Sequence, residues 1–255
     1  MVAAVSIVVH DEAAVATQTC TRVLPADCLR CRVAPKTLQT ACLCAGGLRP
    51  GQMHLTRHDR QAKPAGRGRP RPFVLIITGA PASGKTTLGR QLAASLHLPF
   101  LSKDLFKESL FDSLGWQDRD WSRRLGGASM ALLFRVAGAL LEADQSVALE
   151  SNFYVGGETS QLRELGERYA CQFIQVVCTA PSEILVERFV LRARSGQRHP
   201  GHVSEASFDE VLPRLLSERW EALELPGPAF TVDTAAGQVD VPVLARRIAA
   251  VTERR

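Results

Sequence analysis

Short apolar runs alternate with stretches of helical periodicity from Phe73 to the end of the chain. Runs of about four to eight apolar residues favour buried strands, whereas apolar residues spaced three or four apart favour amphipathic helices. Their alternation is typical of a parallel sheet covered by helices, so the sequence predicts one α/β domain over residues 73–255. Five strands are predicted at 73–78, 99–102, 146–150, 172–178 and 229–233, and seven helices at 84–96, 104–114, 118–143, 159–170, 181–195, 207–222 and 239–252.

Residues 1–72 lack this periodicity and contain much Pro, Gly, Arg and Cys. The stretch 63–72 combines prolines with dense positive charge, which disfavours packing, so we expect a basic, poorly structured leader before the domain. A translation start at Met53 and an organelle-targeting peptide are two further interpretations of this stretch. A zinc site is another, because four thiols have C-x-x-C and C-x-C spacings, although reduced, unliganded thiols would show the same pattern. These thiols belong to Cys28, Cys31, Cys42 and Cys44.

The net charge of +5 comes from the leader. Residues 1–72 hold 11 Lys and Arg against 4 Asp and Glu, whereas residues 73–255 hold 20 against 22. Because the domain itself is slightly acidic, nucleic acid stays an open but unfavoured partner, and a small molecule is the favoured substrate. No apolar run approaches the roughly 18 residues of a membrane span, and we expect a cytoplasmic protein without a membrane partner.

A glycine-containing stretch directly follows the first predicted strand and opens the first predicted helix. It matches the pattern G-x-x-x-x-G-K-[ST] in the strand–loop–helix setting that this pattern requires. Its glycines let backbone N–H groups turn toward phosphate, and the helix N-terminus adds partial positive charge. Lys85 would hold the β- and γ-phosphates and the Thr86 hydroxyl would bind Mg²⁺, so ATP and Mg²⁺ are the predicted cofactors. The predicted nucleotide-binding residues are Gly79, Ala80, Pro81, Ala82, Ser83, Gly84, Lys85, Thr86 and Thr87.

Polar residues also follow the second and third predicted strands. Asp104 stands where it could accept the proton of an attacking hydroxyl and orient it toward the γ-phosphate, or cap the next helix. Lys107, one turn later, would either reach the same pocket or lie on the surface. Glu150 and Asn152 could hold a magnesium-bound water or the substrate, or represent ordinary loop polarity.

A basic helix follows the fourth predicted strand. Arg188 and Arg192 share one face of it, and a segment with Gly, Pro and His comes next. If that segment forms a flap, these arginines, or Arg198 within it, would neutralise charge that develops on the γ-phosphate. A solvated cationic helix face is the alternative. The candidate catalytic residues are Lys85, Asp104, Arg188 and Arg192.

With these features together, residues 73–253 resemble the P-loop kinase group that includes zeta-toxin-like, chloramphenicol phosphotransferase-like, gluconate-kinase-like and polynucleotide-kinase-like proteins. The resemblance implies a P-loop NTPase fold, namely a nucleoside-kinase-like three-layer sandwich around a five-stranded parallel sheet. It also implies ATP-dependent phosphorylation of a hydroxyl, with Asp104 as base and Arg192 as lid arginine. Lys107 stands where polynucleotide kinases tend to carry Arg, and Glu150 where many relatives carry Asp, so the substrate is not fixed. The resemblance rests on residues 79–87, Ser102-Lys103-Asp104, Glu150-Ser151-Asn152, Arg188 and Arg192.

Three functions fit this pattern. The favoured one is an ATP-dependent kinase that transfers the γ-phosphate to a hydroxyl of a small molecule, or of a nucleic-acid 5′ end. The second is an ATP-binding or ATP-hydrolysing switch that changes a partner surface without a small-molecule acceptor. The third is a zeta-type toxin acting on nucleotide-sugar precursors.

Overall fold

The computed structural model describes residues 71–153, 157–196, 198–202, 207–217, 220–235 and 239–253. The predicted leader lies outside the described residues, except for its last two positions, and so do its cysteines. The strands are β1 (Phe73–Gly79), β2 (Phe100–Ser102), β3 (Val147–Glu150), β4 (Gln172–Thr179) and β5 (Ala229–Asp233). The helices are α1 (Lys85–Ser95), α2 (Lys103–Leu114), α3 (Arg119–Glu142), α4 (Glu158–Tyr169), α5 (Ser182–Arg194), α6 (Phe208–Ser217) and α7 (Val241–Glu253), with a 3₁₀ turn at Pro200–His202.

The five strands form one parallel sheet in the order β2-β3-β1-β4-β5, with β1 at its centre. In the register of this sheet Glu150 lies opposite Ile77 on one side and Ser102 on the other. Gly79 lies opposite Cys178 on β4. Because the carboxyl ends of parallel strands meet at one edge, the segments after β1, β2 and β3 are neighbours there.

Helices cover both faces of the sheet, which gives three layers. Val74 and Ile76 of β1 face a core shared with α3 and α4, whereas Leu75 and Ile77 face a core shared with α1 and α7. This alternation follows from the two-residue period of a strand. Both faces of β1 are buried, and its apolar run is therefore continuous. A third apolar cluster joins α5 and α6 to Ala80.

The predicted α/β fold with a five-stranded parallel sheet is confirmed, and apart from the end of the sixth helix each predicted strand and helix is found within a few residues of its expected bounds. The helix predicted at 207–222 is wrong at its end, because α6 stops at Ser217 and residues 220–222 are not helical. Tertiary contact explains the difference. The Gln175 amide of β4 donates to the Leu223 carbonyl (3.0 Å) and accepts from the Leu223 N–H (2.7 Å), which fixes Leu223 against β4.

Helix α3 is long and apolar enough to cross a membrane by length and composition, with a mean hydropathy of 1.4, and no other described helix is. Its apolar residues, however, pack against the sheet: Leu133 and Ala137 have no exposed surface and Leu141 is 2% exposed. Such burial is typical of a core helix. The helix begins at the cap Asp118, whose carboxylate accepts from the Trp121 N–H at 2.8 Å.

Candidate active site

The loop after β1 forms a cradle of backbone amides at the sheet edge. Gly79 has a φ of 142° and sits so close to β4 that an added Cβ would collide with the Cys178 carbonyl oxygen. Ala82 (φ 63°) and Gly84 (φ 76°) also adopt left-handed backbone, which turns the loop into the first turn of α1. Gly84 caps α1 without a side-chain hydrogen bond, so the helix N–H groups face the cradle. A helix start of this kind binds phosphate.

Lys85 links this cradle to the ends of β2 and β3. Its Nζ donates to the Ala80 carbonyl (3.2 Å) and lies 3.9 Å from Glu150 Oε1. The other carboxylate oxygen of Glu150 accepts from the Ser102 hydroxyl at 2.6 Å. Burial lowers the pKa of Lys85, while the negative charge of Glu150 acts in the opposite direction. The two buried charges therefore stabilise each other beside the predicted phosphate position.

Asp104 lies in the first turn of α2, directly after β2, and faces Arg198. An Arg198 nitrogen lies 3.7 Å from Asp104 Oδ2. Burial raises the pKa of Asp104, but the charges of His202, which is cationic only in acid, and of Arg198 lower it more, so that its pKa lies below the usual value. Lys85 also contributes to this lowering, which places Asp104 within electrostatic reach of the lysine predicted to bind phosphate. Asp104 is thus ionised at neutral pH and can accept a hydrogen bond from a hydroxyl.

Lys107 is buried between α2 and α3, one helical turn after Asp104. Its Nζ donates to the Ser122 hydroxyl (2.9 Å) and lies 5.3 Å from the centre of the Phe111 ring. Burial lowers the pKa of Lys107 to about 8, although Asp104 acts in the opposite direction. Its side chain points into the protein, which excludes the surface interpretation of this lysine.

The two candidate arginines of α5 have different surroundings. Arg188 donates to the Thr234 hydroxyl (3.3 Å) and the Thr234 carbonyl (3.0 Å), next to β5. The Thr234 side chain in turn lies within 3.9 Å of where a Cβ on Gly84 would stand, so Arg188 is held at the β5 side of the cradle. Arg192 is exposed, and its positive charge acts on Lys85 and Arg198.

Several buried polar atoms at these strand ends have no hydrogen-bond partner among the described residues. Thr78 and Ser83 are 2% and 0% exposed and belong to the cradle, and Ser151 is 3% exposed beside Glu150. Leaving such groups unpaired costs free energy, and native proteins rarely do so. Their oxygens, with the half-buried Thr86, form a set of hard donors at the predicted phosphate and Mg²⁺ positions.

The charged residues of the candidate site could be predicted from the sequence, but several of their partners could not. The Ser102–Glu150 bond follows from the register of β2 and β3, and pairing the predicted strands would have found it. Ser122 and Thr234 come from distant segments, and no local pattern indicates that they contact Lys107 and Arg188. The pairing of Arg198 with Asp104 has no signal in the sequence either.

The architecture and this cradle define the class of P-loop kinase folds, and comparison with known proteins agrees. A crystal structure of a candidate kinase from Chloroflexus aurantiacus is 41% identical and has a TM-score of 0.65, covering 71% of this chain and 98% of that one. Adenylyl-sulfate kinase from Myxococcus xanthus is 28% identical over 130 residues, 48% of this chain and 66% of that enzyme, just under two thirds of its length. Shikimate kinase from Syntrophus aciditrophicus is 26% identical over 171 residues, 62% of this chain and 77% of that enzyme.

The chain belongs to the AAA domain family, whose model matches residues 74–216, more than half of the sequence. The resemblance to P-loop kinases is thereby confirmed at the level of the class. The narrower resemblance to zeta-toxin-like, chloramphenicol phosphotransferase-like and polynucleotide-kinase-like proteins stays a prediction.

Proposed function

We propose that this protein is an ATP-dependent kinase that transfers the γ-phosphate to a hydroxyl group of a small molecule. The observation that carries the proposal is the connection from Lys85 through Glu150 to Ser102, at the end of the strand that leads into Asp104. This connection joins the cradle after β1 to the buried carboxylate of Glu150, and the register of β2 and β3 brings Ser102 opposite Glu150. A domain that only binds nucleotide has no need of an ionised Asp beside the phosphate lysine.

The residues present fit a bound Mg²⁺·nucleotide. Unpaired oxygens of Ser83 and Ser151 lie at the cradle, and Thr86 opens α1. Thr86 and, through water, Glu150 would hold the ion, since Mg²⁺ prefers oxygen ligands. Bound there, Mg²⁺ would neutralise charge on the β- and γ-phosphates.

Asp104 would orient the acceptor hydroxyl and take its proton. The hydroxyl oxygen forms a bond to the γ-phosphorus while the bond between that phosphorus and the β–γ bridging oxygen breaks, and ADP leaves. Lys85 and Arg192 would stabilise the charge on the transferring group. Arg188, held by Thr234, would position the β5 side of the nucleotide site rather than act on the γ-phosphate.

The test is labelled phosphate transfer from ATP to a panel of hydroxyl compounds by the full chain and by Asp104→Asn. We expect Asp104→Asn to lose about 10²- to 10⁴-fold in kcat, as for removal of a general base, with an unchanged Kd for ATP by calorimetry. Asp120→Asn, which removes an exposed carboxylate at the start of α3, is the matched control and should keep its activity.

Full activity in a folded Asp104→Asn protein would remove Asp104 from the mechanism. ATP hydrolysis by the wild type with no labelled acceptor would instead support the switch interpretation. Growth arrest on expression that Lys85→Ala abolishes would favour a toxin.

A further inference from the structure

Helix α2 carries three carboxylates at four-residue intervals, and residues of this spacing share one helix face. Each of them meets a basic side chain from residues 198–202, which we call the lid segment. The pairs are Arg198 with Asp104 (3.7 Å), His202 with Glu108 (2.9 Å) and His199 with Asp112 (3.1 Å). The lid segment therefore lies along α2 and places Arg198 at the candidate base.

Close packing fixes this placement. An added Cβ on Gly201 would lie 2.6 Å from the Phe111 ring, and Phe111 itself is only 1% exposed. The His199 ring stacks on Phe111 with centroids 5.1 Å apart, and the His202 ring meets its edge at 5.5 Å. The lid segment can thus shift little along α2 without losing these contacts.

His202 acts as a neutral anchor in this arrangement. Burial, and then the positive charge of Arg198, lower the pKa of His202 to about 3. A neutral imidazole facing a carboxylate must carry its proton on Nε2, which donates to Glu108. His202 therefore holds the lid segment without adding a positive charge, and Arg198 supplies the cation.

Lys107 is a second buried cation beside Asp104, one helical turn away. The charges that act on Lys107 are the carboxylate of Asp104 and the cations Lys103, Arg119 and Arg198. Cations therefore outnumber carboxylates among the charges that act most strongly on Lys107. Lys107 pairs with a neutral hydroxyl, and burying a charge without a charged partner is unfavourable unless a ligand supplies the counter-charge.

We infer that Lys107 and Arg198 form a subsite for an anionic group, a carboxylate or a phosphate, on the molecule that receives the γ-phosphate. The inference rests on the proposed kinase function and narrows its substrate class to small hydroxylated anions. The acceptor hydroxyl would lie at Asp104, with the anionic group between the two cations that flank it.

The ATP phosphates are a poor match for Lys107. Its Nζ would be 3.8 Å from a Cβ on Gly126 and donates to Ser122, so it lies against α3 rather than at the cradle. In the proposed mechanism the nucleotide would meet Lys85, the start of α1 and the charge of Arg192. Lys107, which lies between α2 and α3, would therefore contact the acceptor rather than the nucleotide.

The experiment measures the binding of acceptor compounds and the transfer of phosphate to them, using pairs of compounds of which one is anionic and the other neutral. Binding is measured separately because it does not depend on turnover. Glycerate is compared with glycerol and threonate with threitol, and glycerol 3-phosphate distinguishes a phosphate from a carboxylate. Calorimetry is done on the protein saturated with Mg²⁺ and a non-hydrolysable ATP analogue, and transfer is followed with labelled ATP. We expect the anionic member of each pair to bind about tenfold or more tightly than the neutral one.

Lys107→Met should remove this preference and raise the Kd and KM for the anion about tenfold, while the KM for ATP stays within about twofold. Lys107→Arg should retain the preference, and Arg198→Met should weaken it by a similar factor. Arg124→Met removes an exposed cation from α3 and is the control. Circular dichroism and thermal unfolding establish that each variant is folded.

The inference would be overturned by equal or no binding of the anionic and neutral members, or by an unchanged anion Kd in folded Lys107→Met. Phosphorylation of a 5′-hydroxyl oligonucleotide in preference to every small anion would overturn it too. Anion binding that Lys107→Met abolishes, without any phosphate transfer, would support the subsite and contradict the kinase.

Discussion

The proposed nucleotide half of the site is one contiguous stretch, residues 79–87, whereas the proposed acceptor half is assembled from α2, α3 and the lid segment. In the nucleotide half the backbone would do most of the binding, through left-handed residues and the start of α1. In the acceptor half, the buried Lys107 and the partly buried Arg198 both interact electrostatically with Asp104. A backbone cradle recognises any triphosphate alike, but side chains can be exchanged singly. Acceptor choice can therefore change while nucleotide binding is kept.

The largest expected effect comes from the nucleotide half. Lys85→Met should lower kcat for phosphate transfer by about 10²- to 10³-fold, because it removes a preorganised cation from the transferring phosphate. Steady-state kinetics with labelled ATP measures this loss, and exposed Arg90→Met on α1 is the control. If Lys85→Met lowers kcat less than Lys107→Met does, the assignment of Lys85 to the nucleotide half and of Lys107 to the acceptor half is contradicted.

The next largest effect is expected in the pH dependence of kcat/KM, which should differ between the acceptor and ATP. Lys107 is protonated below its pKa of about 8, so an anionic acceptor is attracted there and is attracted less as pH rises above it. We expect kcat/KM for such an acceptor to fall to about a tenth of its value as pH rises above that pKa, and then to level off. Initial rates at saturating ATP measure it, and Lys107→Arg should abolish the fall. The same fall in kcat/KM for ATP would mean that another group is responsible.

A larger side chain at position 201 of the lid segment should have a moderate effect on the acceptor KM and none on the ATP KM. Gly201→Ala pushes a methyl group into Phe111, and overpacking of this kind costs about 1–3 kcal/mol. We expect the acceptor KM to rise about fivefold or more with the ATP KM unchanged. Gly127→Ala is the control, because a Cβ there meets no atom within 4 Å. If both KM values rise together, the lid segment serves both halves.

The smallest effect is expected at the outer end of α2. Asp112 is 71% exposed beside His199, and exposed ion pairs contribute about 0–1 kcal/mol. Asp112→Asn should therefore change the acceptor KM by about twofold at most, measured alongside Asp104→Asn. A tenfold rise would show that the lid segment depends on this pair rather than on Gly201 and His202.

The same contrast explains how much the sequence could predict. The strands, the helices and the cradle depend on local patterns, and for that reason residues 79–87 could be assigned as one motif. Asp104 and Glu150 could be placed because each follows a predicted strand. Their partners could not, since Ser122 and Arg198 reach the site through packing of separate elements. The end of α6 was mispredicted for the same reason, as a side chain on β4 overrides local helical periodicity.

The central position of β1 bears on how the chain folds during synthesis. β1 precedes the other four strands, yet Gly79 is placed by Cys178, about 100 residues later. The cradle residues thus leave the ribosome well before the strand that shapes them. Nucleotide stabilises only a state that can bind it, so ATP bound as proposed would not template the early half of this domain and would stabilise the sheet only once β4 has joined.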